Sequence, residues 1–351
     1  MTRFSTAGLA RISARRPWMV IGMWVIILAL SIVSTFTSLD DGLTTEVKFL
    51  NSPESVKGFD LLKQRLGLDK PITETVIVTS DTLTVDDPAF QAVVQQTTDE
   101  LRKLTGLIDT SPAGLFNYFE AKAAPAPDAA TRAEQLVSPD RKTTLIPVTF
   151  TVNVDDAAAH YDEFHAAVTA HEGNGIRTLT VGDISINEEF NAIAEEDLRK
   201  AEGFGIPAAL LILVVVFGAL VAAGVPIILA LFSIAVAFGL TALVGRVWDL
   251  SFFITNMITM IGLAVGIDYA LFIVERYREE RRRGRPKLAA IEVAGGTASK
   301  AVLFSGMTVV FALLGLFLIP TSIFRSLGLG AILVVVVAVA AMLTLIPAVL
   351  S

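Results

Sequence analysis

An aspartate in an otherwise uncharged apolar run is the residue best placed to do chemistry. Asp268 stands in Ile261-Gly-Leu-Ala-Val-Gly-Ile-Asp-Tyr269, seven residues before Glu275. At helical rise, about 10 Å separates the two carboxylates. If the run crosses a membrane, an ionised, unpaired carboxylate at that depth costs several kcal/mol. It must therefore pair, meet water or hold its proton. Desolvation raises a carboxyl pKa toward the physiological range, where a group can carry protons across. Tyr269 follows directly and can hydrogen-bond a neighbouring carboxylate. Gly262 and Gly266, at i−7 and i−3 from Tyr269, would let another helix close in on that side. Ser305 and Thr308 are candidate hydrogen-bond partners for Asp268, although such hydroxyls more often bond their own helix backbone. A plainer reading stays open: Asp268 fixes only helix register, with the glycines as a packing notch.

Other chemistry is scarce. The three histidines, His160, His165 and His171, are spaced by five and six, which does not align them on one helical face. No metal site is expected from them. With no cysteine there is neither a disulfide framework nor a thiolate site. No nucleophile–base pair or phosphate loop stands out, so no cofactor is expected and the chain does not read as an enzyme. Glu188, Glu189, Glu195, Glu196 and Asp197 read as a solvated helix face. The basic run Arg276, Arg278, Arg281–Arg283, Arg285 and Lys287 reads as a topology signal on anionic headgroups, not as a nucleic-acid site. Arg246 and Asp249 read as a surface pair.

The elements that must position Asp268 are apolar helices. Of 351 residues, 53% are hydrophobic and 18% charged, where a soluble domain approaches one-quarter charged. Five stretches lack Asp, Glu, Lys and Arg altogether: 17–39, 203–245, 250–267, 301–324 and 326–351. A bilayer core about 30 Å thick needs roughly 20 apolar residues of helix. The 203–245 stretch is twice that and contains Ala-Ala-Gly-Val-Pro at 222–226, a natural break. Two crossings, near 204–221 and 226–245, bring the total to six.

Between the first two crossings lies a different kind of chain. Residues 40–202 hold 29 acidic and 14 basic residues, net −15, against net +8 elsewhere. Arg3, Arg11, Arg15 and Arg16 precede the first crossing, and the 275–300 loop carries eight basic residues to four acidic. The positive-inside rule places both in the cytoplasm and the 40–202 domain outside. Residues 17–39 read as a retained signal anchor, with Trp18 and Trp24 at its interfacial end. The predicted division is 1–39 (tail and first crossing), 40–202 (outer domain) and 203–351 (crossings two to six).

Within the outer domain, Ile72–Ser80 alternates as a strand. Asp86-Asp87-Pro88 opens a helix to about Leu104. Residues 121–130 read as a loop or frayed helix end. A strand over 143–154, a helix capped by Asp155-Asp156 and running to about His171, and a strand over 177–181 follow. A polar helix over 184–200 leads into the second crossing. The order β-α-β, linker, β-α-β suggests a ferredoxin-like α+β unit.

Several segments resemble the MMPL (mycobacterial membrane protein large) family of the resistance–nodulation–division (RND) superfamily. They include Arg15-Arg-Pro-Trp18, Ser55–Leu62, Gly182–Phe190, Asp197–Glu202, Phe217–Pro226, Ser305-Gly306, Leu327-Gly328 and Thr344–Leu350. Gly266-Ile-Asp-Tyr269 with Arg276-Tyr-Arg-Glu-Glu280 is the most specific piece. The resemblance spans essentially the whole chain. It implies an RND-type six-helix bundle whose outer domain is a porter domain. It also implies a proton-motive-force-driven exporter of lipids or other lipophilic molecules in the plasma membrane, with Asp268 and Tyr269 in the proton relay. Family members usually carry two such halves, and this chain has one. It therefore reads as the N-terminal half of a longer protein, the case its abrupt end at Ser351 favours, or as a half-size protein pairing with itself or a partner. Two other classes remain open: a non-transporting lipid- or sterol-sensing scaffold, and an accessory subunit of protein export.

Overall fold

The computed structural model describes residues 5–45, 47–66, 71–125, 128–217 and 220–351. The chain divides into two compact units, Glu54–Asp197 and a helical unit of Met1–Pro53 with Leu198–Ser351. The chain begins with α1 (Thr6–Arg15), α2 (Pro17–Ser38) and the two-residue strand β1 (Leu43–Thr44).

The Glu54–Asp197 unit contains α3 (Glu54–Leu66), β2 (Ile72–Ser80), α4 (Pro88–Leu101), α5 (Tyr118–Ala123), α6 (Ala129–Glu134), β3 (Thr143–Phe150), α7 (Val154–Ala159), α8 (Tyr161–Thr169) and β4 (Ile176–Gly182). The strands form one antiparallel sheet in the order β3-β2-β4. Alternation drives this: Val76, Val78, Ile146 and Val148 point to one face and are buried with Phe90, Val94 and Phe164 of α4 and α8. Beside β3, the place of a further strand holds only isolated bridges, Ile108↔Phe150 and Leu115↔Val148.

Helix starts differ from the sequence reading in detail. Asn153, not the Asp155-Asp156 pair, caps α7, its side chain accepting from the Asp156 amide at 2.9 Å. The expected single helix to His171 is broken at His160, which caps α7 at its C-terminus and precedes α8. Ala126 and Pro127, in the expected 121–130 loop, lie outside the described residues.

After β4 come α9 (Asp183–Phe217), α10 (Leu220–Gly245), β5 (Leu250–Ser251), α11 (Phe253–Arg282), α12 (Lys287–Gly296), α13 (Ala298–Leu313) and α14 (Ser322–Val349). The buried Glu74 of β2 satisfies the start of α9. It accepts from the Ile184 amide at 2.6 Å, the Ser185 amide at 2.9 Å and the Ser185 hydroxyl at 2.7 Å. A carboxylate suits the positive end of a helix.

Among the described residues, five helical spans are long and apolar enough to cross a membrane: Pro17–Ser38, Gly224–Gly245, Phe253–Arg282, Lys287–Leu318 and Ser322–Val349. The crossing expected near 204–221 coincides with the apolar end of α9, and its Gly218 and Ala219 lie outside the described residues. Residues 222–226 are helical, so the expected break is not there; Pro226 lies inside α10. Apolar surroundings favour the helix despite one missing amide, because every open backbone group is costly there. The 275–300 segment is also mostly helical. Ion pairs at i,i+3 and i,i+4, such as Arg278–Glu275 and Arg276–Glu280, support the extension of α11 to Arg282.

Residues 42–45 and 47–50 lie at one end of the helical unit. β1 pairs in parallel with β5, Leu43 opposite Leu250. The Leu50 amide donates to the Pro320 carbonyl at 2.9 Å. Lys48 and Ser322 exchange two hydrogen bonds, each 2.9 Å.

Candidate functional site

The intramembrane aspartate is positioned by α11. Two close approaches fix that helix's rotation. A Cβ on Gly266 would stand 2.7 Å from Ala230 Cβ of α10, and one on Gly262 would stand 2.4 Å from Ile234 and 2.9 Å from Val334 of α14. Larger residues at either position would push the neighbouring helices off.

With that face of α11 packed, successive residues point apart, about 100° per residue around a helix. Tyr269 turns inward and is only 7% exposed, among Ile273, Val302 and Met342. Its hydroxyl donates to Ser305 Oγ of α13 at 3.2 Å. Asp268 turns the other way, onto an uncovered stripe with Met260, Ala264 and Phe272. It borders a cavity of about 520 Å³ that is otherwise largely apolar, walled by α11 and by Leu198, Ala201, Gly205, Ile206 and Ala209 of α9. Thr259 is a polar group on the same wall, its hydroxyl donating to the Thr255 carbonyl.

Asp268 and Tyr269 are therefore neighbours in sequence but serve different surfaces. Neither candidate hydroxyl bonds Asp268. Ser305 accepts from Tyr269, and Thr308 donates to its own helix at the Phe304 carbonyl, 2.9 Å away. Among the described residues, no hydrogen bond or ion pair is made to the Asp268 side chain. The Asp268 carboxyl is uncovered and borders the cavity, while the tyrosine hydroxyl is held by Ser305.

A second carboxylate on α11 lies within the basic run and is buried. Glu280 has 1% side-chain exposure and pairs with Arg276 at 2.8 Å, Arg283 at 2.9 Å and Arg285 at 2.6 Å. Glu279 pairs with Arg276 and Arg283 as well. The 276/280 and 280/283 spacings were the available signal. Three of the arginines assigned to headgroups are thus also spent on a glutamate.

Three other expectations change. Trp24 is 6% exposed and donates to Thr344 Oγ1 at 2.9 Å, because an indole N–H among apolar helices needs an acceptor; Trp18 is 84% exposed. Arg246 donates to Ser38 Oγ at 2.7 Å, and Asp249 pairs with Lys48 at 2.8 Å, so these two do not pair with each other. The acidic face of α9 is not uniformly solvated: burial first, then the charge of Asp162, pushes the Glu188 carboxyl above its ordinary pKa. Among the described residues, no three His, Asp or Glu side chains gather as a metal site.

The MMPL family model matches residues 50–351. A membrane protein of Streptomyces coelicolor is 33% identical over 348 residues, covering 98% of this chain and 46% of that protein. The mycolic acid-containing lipids exporter MmpL11 of Mycolicibacterium smegmatis is 38% identical over 188 residues, 53% of this chain and 20% of that one. The probable trehalose monomycolate exporter MmpL3 of Mycobacterium leprae is 28% identical over 316 residues, 90% of this chain and 32% of that one. The chain thus spans less than half the length of the relatives it matches.

Proposed function

The chain belongs to the MMPL family, and from that premise we propose that it is a proton-driven exporter, or half of one, for lipids or other lipophilic molecules. Its role is to bind and move cargo, not to transform it. Asp268 takes up and releases the proton. Tyr269, held by Ser305, keeps the relay's geometry, and Gly262 and Gly266 set the helix packing that aims both residues. The apolar end of α9 is the second crossing and makes six in all. The bundle lies in the plasma membrane with its N-terminus in the cytoplasm, and the 40–202 domain is an extracytoplasmic porter domain.

The observation that carries this reading is the direction of Asp268. Its carboxyl faces an apolar cavity from an uncovered stripe of α11. In hydrocarbon such a group cannot stay ionised without water or a partner. A second half or a second copy laid on that stripe would complete the site, and protonation would then bias the bundle between two arrangements. The relatives named as lipid exporters support the cargo class.

Replacing Asp268 by Asn keeps shape and removes titration. Expressed together with whatever completes the transporter, Asp268→Asn should insert and fold normally yet lose proton-dependent lipid export. Undiminished export would remove Asp268 from the mechanism.

A further inference from the structure

A separate small cavity, about 200 Å³, lies at the end of the bundle where α11 begins, opposite the arginine-rich end of that helix. Its walls include Lys48, Leu50, Trp248, Asp249, Arg325 and Leu329. We propose that this cavity binds the phosphate of an anionic membrane lipid, with Arg325 as the recognising cation.

The charges around it are asymmetric. Lys48 and Asp249 pair at 2.8 Å and largely cancel. Arg246, nearby in sequence, is occupied with Ser38. Arg325 is exposed and has no ion pair or side-chain hydrogen bond among the described residues. Among the described residues that line the cavity, Arg325 is thus the cation without an acidic partner. Short loops on the outer side of a membrane are ordinarily poor in Lys and Arg, so an unpaired arginine there is unusual. A guanidinium offers a planar fork that matches phosphate oxygens two at a time.

The walls are preformed and of two kinds. The Lys48 amide donates to the Ser322 hydroxyl, and the Ser322 amide donates to the Lys48 carbonyl. Ser326 Oγ accepts from the Ser251 amide at 2.9 Å and donates to the Ser322 carbonyl at 2.9 Å. Leu50, Leu250 and Leu329 supply apolar surface, and Trp248 is an exposed indole suited to the headgroup layer. The volume is below that of pockets holding drug-sized ligands. It suits a headgroup whose acyl chains remain against the bundle. This inference needs the chain to lie in a membrane but not the proton role of Asp268, so the two can fail separately.

The test is lipid retention by the purified full-length chain, counted by native mass spectrometry after exchange into phosphatidylglycerol or phosphatidylcholine micelles. Wild type should retain phosphatidylglycerol preferentially. Arg325→Gln, at an exposed position, should lower that retention roughly fivefold, the worth of one cation against an anionic surface. Arg325→Lys, which keeps the charge, should recover much of it. The proposal fails if Arg325→Gln retains phosphatidylglycerol like wild type, if Arg325→Lys behaves like Arg325→Gln, or if wild type holds both lipids equally. Displacement of the retained lipid by millimolar inorganic phosphate would assign the site to a soluble anion and overturn the lipid assignment.

Discussion

Helix α11 carries two carboxylates twelve residues apart, one enclosed and one uncovered, and they have opposite fates. Glu280 is enclosed by three arginines, each within 2.9 Å. Asp268 has no such partner among the described residues and looks into an apolar cavity. The first is committed to architecture, its pair with Arg285 pinning the segment after α11 back onto the helix. The second has no fixed counter-charge among the described residues, so no ion pair depends on it. Position in the helix sets this difference: near a helix end arginines can reach a glutamate while keeping their stems in apolar contact, whereas mid-membrane they cannot.

On the proposed function, Asp268→Asn should give the largest contrast, loss of proton-dependent export with folding intact. Glu280→Gln should give the reverse. It removes the common counter-charge of three guanidinium groups and should cost about 2–3 kcal/mol, below the full cost of breaking a buried pair because the arginines stay partly exposed. Thermal unfolding of the full chain in detergent reads this; an unchanged midpoint would mean Glu280 is not structural. If Glu280→Gln instead blocked export at full stability, the comparison would collapse.

Tyr269→Phe comes next. It deletes the hydroxyl bonded to Ser305 and should cost about 1 kcal/mol, with export reduced but not abolished. Ser305→Ala should behave alike, and the double variant should be no worse than either single one. Additive losses would show that the two do not act through their shared bond.

The smallest effect uses a third carboxylate. The Glu188 pKa is raised by burial and by Asp162. An acid with a raised folded pKa lends stability at pH below its unfolded value, and this is lost as pH rises through the folded value. Glu188→Gln should therefore raise the unfolding midpoint of its unit slightly at neutral pH, and the gain should vanish in acid. A gain independent of pH would point to packing instead.

Much of this was legible in the sequence because the signals were local. Asp268 stands out in an uncharged run. β2 occupies Ile72–Ser80 as read, since strict alternation marks both faces and Asp81 ends it. What stayed hidden depends on residues distant in sequence. Ser305 bonds Tyr269 across 36 residues, and Trp24 finds Thr344 across 320. The side to which Asp268 turns follows from Gly262 and Gly266 meeting two other helices, which periodicity within α11 does not disclose. The Glu280 cluster was hidden for another reason: charges at i,i+3 and i,i+4 look alike on a wet surface and in a buried knot.

The strand-like segment between α2 and α3 has a consequence for biosynthesis. Lys48 is bonded to Ser322, 274 residues later. At about 5–20 residues per second, a ribosome takes tens of seconds to make the intervening chain. The segment after α2 thus emerges unmatched; β1 gains β5 first, and the bonds at residues 48–50 close only when α14 arrives. During that interval the open backbone groups of 47–50 must be kept from other partners, and closure of this seam ties the segment to the start of α14.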